Sequence, residues 1–183
     1  IQQNLTAYEG YEILRVDDPT GKTDVPLITR TRKANEWRAD FYLSIHANAH
    51  DPKTIGPNGG KGGGIVTIIY TKASQKSKDY QKLIYNELIK ETGLKGNRSD
   101  PMTAMNLHVC RETKMPCVLC ELGFMDSISD TKIILTEDFA DDCAEALTNA
   151  LVEIGRLKEK ETTKPIESGY KNKVVEACNF STG

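Results

Sequence analysis

The segment from Cys117 to Leu122 is apolar at every position but Glu121. A run of that length and composition suits a β-strand buried on both faces, and such a strand needs helices above and below its sheet. The flanking chain agrees with this. Strand-like stretches at Tyr11–Val16, Phe41–Ile45 and Ile65–Tyr70 alternate with helical patterns. Pro26 opens one helix, which runs to about Trp37 with Leu27, Thr31, Ala34 and Trp37 inward and Arg30, Arg32 and Lys33 toward solvent. A second runs from Ser74 to Thr92, with Tyr80, Leu83, Ile84 and Leu88 inward and Gly93 as its stop. A third is marked by Phe139, Cys143, Leu147, Leu151, Ile154 and Leu157 at spacings of three and four. The order predicts an α/β fold with three layers, a mostly parallel twisted sheet flanked by helices.

Residues 1–8 have the spacing of a helix tail that ends at Gly10, and residues 93–108 are polar and read as irregular. Residues 1–157 are expected to form one domain, and residues 158–183 a polar linker and loosely ordered tail. The glycines of residues 56–64 precede a strand rather than feeding a helix. They therefore suit a crossover loop and not a phosphate cradle.

Charge and hydropathy exclude several classes of function. With Lys+Arg 24 against Asp+Glu 26, the 183-residue chain has a net charge of -2 and lacks the basic balance of a nucleic-acid binder. No apolar run approaches the ~20 residues that cross a bilayer, so no membrane span is expected. The five cysteines, an odd number set in apolar surroundings, suit reduced core thiols made in the cytoplasm. Cys117 and Cys120 are three apart in a strand and so point to opposite faces, which argues against a shared zinc or disulfide.

In parallel sheets, ligands sit beyond the carboxyl ends of the strands. Two strands here end in groups capable of chemistry, His46 and Glu121. An ionised carboxylate inside an apolar run is costly unless partnered, and its proton affinity rises, which is what a general base or acid requires. A buried ion pair is the structural alternative for Glu121, and a satisfied polar group is the alternative for His46. His50 is expected at the surface in a turn, and His108 in an ordinary loop.

Three stretches carry a resemblance: Ala39-Asp-Phe-Tyr-Leu-Ser-Ile-His46-Ala-Asn-Ala, Gly63-Gly64-Ile-Val, and Arg111-Glu-Thr-Lys-Met-Pro-Cys-Val-Leu-Cys-Glu121-Leu-Gly-Phe124. Over residues 1–157 the chain resembles the zinc-dependent N-acetylmuramoyl-L-alanine amidases, in particular the catalytic domains of phage endolysins and bacterial autolysins. The resemblance implies a peptidoglycan hydrolase that cuts the amide between N-acetylmuramic acid and the L-alanine of the stem peptide. It implies zinc as cofactor, His46 as a metal ligand and Glu121 as the catalytic glutamate. It also implies a lysin made in the cytoplasm that acts at the bacterial cell wall, or a secreted one.

The family's first histidine motif and its glutamate ligand are expected before Ile1, and Glu9 and Glu12 do not stand in for them. Nor does the spacing of His50 and His108 arrange them to complete a site. Two readings follow, a peptidoglycan amidase and a non-catalytic amidase remnant that binds the wall or regulates. Metal content discriminates between them. A thiol hydrolase is a weaker third reading, because the cysteines lie in core patterns. Oligomeric state is left open by the sequence.

Overall fold

In a computed structural model, residues 1–50, 62–160 and 172–178 are described. The elements are α1 (Gln2–Leu5), β1 (Tyr8–Glu9), β2 (Tyr11–Arg15), α2 (Leu27–Trp37), β3 (Phe41–Asn48), β4 (Ile65–Tyr70) and α3 (Gln75–Thr92). They continue with β5 (Met102–Met105), α4 (His108–Glu112), β6 (Cys117–Phe124), α5 (Thr131–Ile134), α6 (Glu137–Gly155), β7 (Lys158–Glu159) and β8 (Asn172–Cys178).

Among the described residues, six strands form one sheet in the order β2-β8-β3-β6-β4-β5. All neighbours run parallel except β4 and β6, which are antiparallel. This is the expected α/β architecture, with helices on both faces. On one face Phe41, Leu43, Val118, Cys120 and Ile65 meet Ile84 and Leu88 of α3 and Leu147 and Leu151 of α6. On the other, Tyr42, Leu119, Val66 and Ile68 meet Ala34 of α2 and Val109 and Cys110 of α4. Strand β6 is thus covered on both sides, as its apolar run requires.

The helix boundaries follow local chemistry. Ser74 accepts a hydrogen bond from the Ser77 amide at the start of α3, and Thr136 accepts one from Phe139 at the start of α6. Gly93 ends α3 in the left-handed region at φ 66°.

Several expectations are corrected. Only Gln2–Leu5 of the N-terminal stretch is helical, and Tyr8–Glu9 instead pairs antiparallel with Lys158–Glu159. The polar stretch 93–108 contains β5, parallel to β4, and the start of α4. Arg30 is buried rather than solvated, because it shares the inward stripe of α2 with Thr31 and Ala34. Its guanidinium is satisfied by the Val25 carbonyl at 2.6 Å and by Asp24 at 2.6 Å.

The stretch after Lys158, expected to be a loosely ordered tail, supplies β7 and β8. Strand β8 lies between β2 and β3, parallel to both, with Val174 buried in the core. A short Val-Val pair among charges gives little periodicity, so pairing with two neighbouring strands decided this element rather than its own propensity. The glycine loop reading lies largely outside the described residues, which resume at Gly62.

Candidate active site

Strands β3 and β6 run side by side in register, and their pairing places His46 directly opposite Glu121. Both side chains fall on the α2/α4 face, in step with Ser44 and Leu119. On its other side Glu121 pairs with Val66 of β4. The two residues singled out at separate strand ends are therefore neighbours at the carboxyl end of the sheet, where ligands bind in such folds.

The environment around them is half-buried and largely apolar. Burial pushes the Glu121 carboxyl up to about 7, and its Oε2 atom is buried with no hydrogen-bond partner. Burial lowers His46 to about 4, and the buried Arg30 guanidinium adds to that effect. Ser44 Oγ and His46 Nε2 share a hydrogen bond of 2.7 Å, which fixes the ring. A neutral imidazole thus stands beside a carboxyl that ionises near neutrality, a combination suited to proton transfer and to presenting a nitrogen lone pair. His46 also borders an apolar cleft of about 370 Å³ between the strand ends and α6, lined by Ile45, Leu122, Phe139 and Cys143.

The end of β6 is held in place by a buried carboxylate. Asp130 accepts hydrogen bonds from the amides of Phe124 (3.0 Å) and Gly64 (2.7 Å), tying the strand that carries Glu121 to the start of β4. Between them Gly123 adopts φ 109°, and a Cβ there would come within 2.8 Å of Ile134.

The remaining candidates are placed as follows. His50, expected at the surface, is half-buried and bonded to Asp126. His108 opens α4 and lies 3.4 Å from Thr31 Oγ1, in a groove between α2 and α4. Cys110, Cys117, Cys120 and Cys143 are free and buried. Cys117 and Cys120 do fall in different core clusters. The Cys110 and Cys117 sulfurs lie 3.7 Å apart, a pairing that arises from tertiary packing and has no sequence signal. Arg30 and Asp130 were likewise beyond sequence reasoning, since surface charge is the ordinary expectation for both residue types.

Zinc sites ordinarily take three protein ligands. Among the described residues no three His, Cys, Asp or Glu side chains converge. His46 and Glu121 by themselves do not fit a zinc site.

The chain is 34% identical over 153 residues to the sporulation-specific N-acetylmuramoyl-L-alanine amidase of Bacillus subtilis (strain 168), covering 82% of this chain and 53% of that one. It is 34% identical over 134 residues to the endolysin of Bacillus phage SPP1, covering 73% of this chain and 47% of that one. The chain spans about half the length of these relatives. In fold it is similar to the catalytic domain of CwlV, an N-acetylmuramoyl-L-alanine amidase from Bacillus (Paenibacillus) polymyxa. The TM-score is 0.70 at 23% identity, over 86% of this chain and 79% of that one. The family model Amidase_3, described as N-acetylmuramoyl-L-alanine amidase, matches residues 1–153, and the chain belongs to that family.

Proposed function

We propose that the chain acts at the bacterial cell wall as a peptidoglycan hydrolase, cleaving the amide between N-acetylmuramic acid and the L-alanine of the stem peptide. The observation that carries this reading is the half-buried Glu121, its Oε2 atom buried without a partner, set beside His46 at the carboxyl end of the sheet. Above about pH 7 Glu121 is a carboxylate. In that form it takes a proton from water as the oxygen attacks the scissile carbonyl, and it returns the proton to the departing alanine nitrogen. Burial, with Arg30 adding to it, keeps His46 uncharged, so that its ring offers a lone pair rather than a competing positive charge.

The zinc of the resembling amidases would act as a Lewis acid at that carbonyl. His46 is the one ligand assigned to it here. The described residues do not complete its site, so no step is derived through it.

The test is release of new alanine amino groups from purified peptidoglycan. Glu121→Gln is expected to abolish release while the protein stays folded, and undiminished turnover would remove Glu121 from the mechanism. Wall binding by the parent chain without any release would favour the non-catalytic reading instead. In a version supplied with the histidine motif and glutamate ligand expected of the family, elemental analysis of His46→Ala should show less zinc than its parent, and equal zinc would take His46 out of the coordination sphere.

A further inference from the structure

The proposed reaction leaves the cysteines unused, and two of them meet. Cys110 in α4 and Cys117 at the start of β6 pack in one cluster on the α2/α4 face, with their sulfurs 3.7 Å apart. The contact has a direction. The Cys117 S–H donates to the Cys110 sulfur, and the Cys110 S–H donates to the Ile68 carbonyl at 3.8 Å. Burial pushes the Cys117 thiol well above its ordinary value, and the bond to Cys110 adds to that. Cys117 therefore keeps its proton and supports negative charge on its neighbour.

Both cysteines line a polar pocket of about 170 Å³ between the end of β4, the start of α3 and the loop that leads into β6. A water molecule takes up about 30 Å³, so the pocket has room for a small polar oxidant. Its charged lining, among the described residues, is Lys72, Arg111 and Lys114, all cations, with Arg111 partly offset by Glu112 at 2.7 Å. An electropositive wall favours thiolate over thiol. The other two described thiols lack one. Cys120 is fully buried, and Cys143 lines the apolar cleft, where burial and the nearby Asp142 charge push its thiol up to about 12.

We propose that Cys110 and Cys117 are a peroxide-responsive pair, with Cys110 the attacking thiol and Cys117 the resolving one, joined in a disulfide when oxidised. In the first step the Cys110 thiolate attacks one oxygen of hydrogen peroxide. An S–O bond forms and the O–O bond breaks, and the departing hydroxide takes up the proton that Cys110 released, leaving water and a sulfenic acid. In the second the Cys117 sulfur attacks the Cys110 sulfur. The S–S bond forms, the S–O bond breaks, and the hydroxide leaves with the Cys117 proton as water. Two thiols give up two electrons, and peroxide accepts them.

Closing the sulfurs from 3.7 Å to bonding distance is a movement of about 1.7 Å. Residues 113–116 lie outside both α4 and β6 and can absorb it. The link would tie α4 to the strand that carries Glu121, and its formation does not depend on the reaction proposed above.

The experiment exposes the full reduced chain, freed of reductant, to hydrogen peroxide. Remaining thiols are alkylated and mapped by mass spectrometry after trypsin, which cuts at Arg111 and Lys114, between the pair. Two of the five thiols are expected to be lost first, as a Cys110–Cys117 link that dithiothreitol reverses. Cys117→Ser should stop at a sulfenic acid on Cys110, captured by dimedone, and Cys110→Ser should lose the fast reaction. Lys72→Gln combined with Lys114→Gln, both at exposed positions, should slow the loss of thiols severalfold. Loss of Cys120 or Cys143 at the same rate, a link to any other cysteine, or oxidation that the two glutamines do not slow would overturn the pair. Should either serine variant fail to fold, the parent chain and the glutamine variant decide the matter.

Discussion

The two faces of the sheet are built from alternate residues of the same strands, yet they obey different rules. On the α3/α6 face the inward positions of β3 and β6 are Phe41, Leu43, Val118 and Cys120, close-packed against Ile84, Leu88, Leu147 and Leu151. On the α2/α4 face the same strands turn in Tyr42, Ser44, His46, Leu119 and Glu121, and α2 adds a buried arginine. Two of those groups, the Tyr42 hydroxyl and Glu121 Oε2, are buried without a partner. The α3/α6 face also buries partnerless hydroxyls, on Tyr85 and on Thr67 of β4. What separates the faces is that the groups of the candidate site, His46 and Glu121, gather with buried Arg30 on the α2/α4 face, where their burial lowers stability to hold chemistry and the apolar packing opposite offsets it. A one-residue slip of β6 would exchange the two roles.

This contrast is open to direct attack. The largest effect should come from Glu121→Gln, with amide hydrolysis falling by about 10²–10⁴ in rate and thermal stability near neutral pH holding or rising, because a buried charge is removed. A fall in melting temperature with hydrolysis intact would erase the division between the faces. Next is Leu147→Ala in α6, which should cost ~2–5 kcal/mol in denaturant unfolding while leaving KM unaltered in the fraction that stays folded.

The third prediction concerns pH. Glu121 has its folded value raised from 4.5 to about 7, so the folded chain holds the extra proton and stability falls as pH climbs between those values. His46 has its folded value lowered from 6.5 to about 4, so the unfolded chain holds the extra proton and stability rises with pH over that window. The two slopes oppose each other between about pH 4.5 and 6.5 and should nearly cancel in the parent chain. In Glu121→Gln only the rising slope remains, and chemical denaturation across that range would show it. An unchanged profile would refute the assigned environments. The smallest effect is loss of a cap on the packing side: Ser74→Ala should cost about 1 kcal/mol without touching activity.

Much of this division was legible in the residues. The apolar run at 117–122 carries its own evidence of double burial, and a lone charge within it marks Glu121. Strand periodicity also separates Cys117 from Cys120. What was not legible is what depends on partners that loops and packing, rather than the periodicity of an element, bring against a side chain. Arg30 is an ordinary surface residue until the Val25 carbonyl and Asp24 close around it. His50 is an ordinary turn residue until Asp126, 76 positions away, captures its ring and its amide. The Thr103 carbonyl in β5 accepts from the buried Gln81 side chain of α3, a contact that four polar-flanked residues do not announce.

The position of β8 also bears on how the chain reaches its structure. Among the described residues, residues 11–15 pair in the sheet only with residues 172–176, so the contact joins segments far apart in sequence. Closing a loop of that length is entropically unfavourable and gains nothing until the last strand arrives. The central β3-β6-β4-β5 portion has its partners nearer at hand and can assemble first. The β2 end of the sheet then closes late, and until it does the open edge of β3 is a template for pairing with another chain. Refolding should therefore show a slow final phase, more prone to aggregation at higher protein concentration, that reports β8 entering its place.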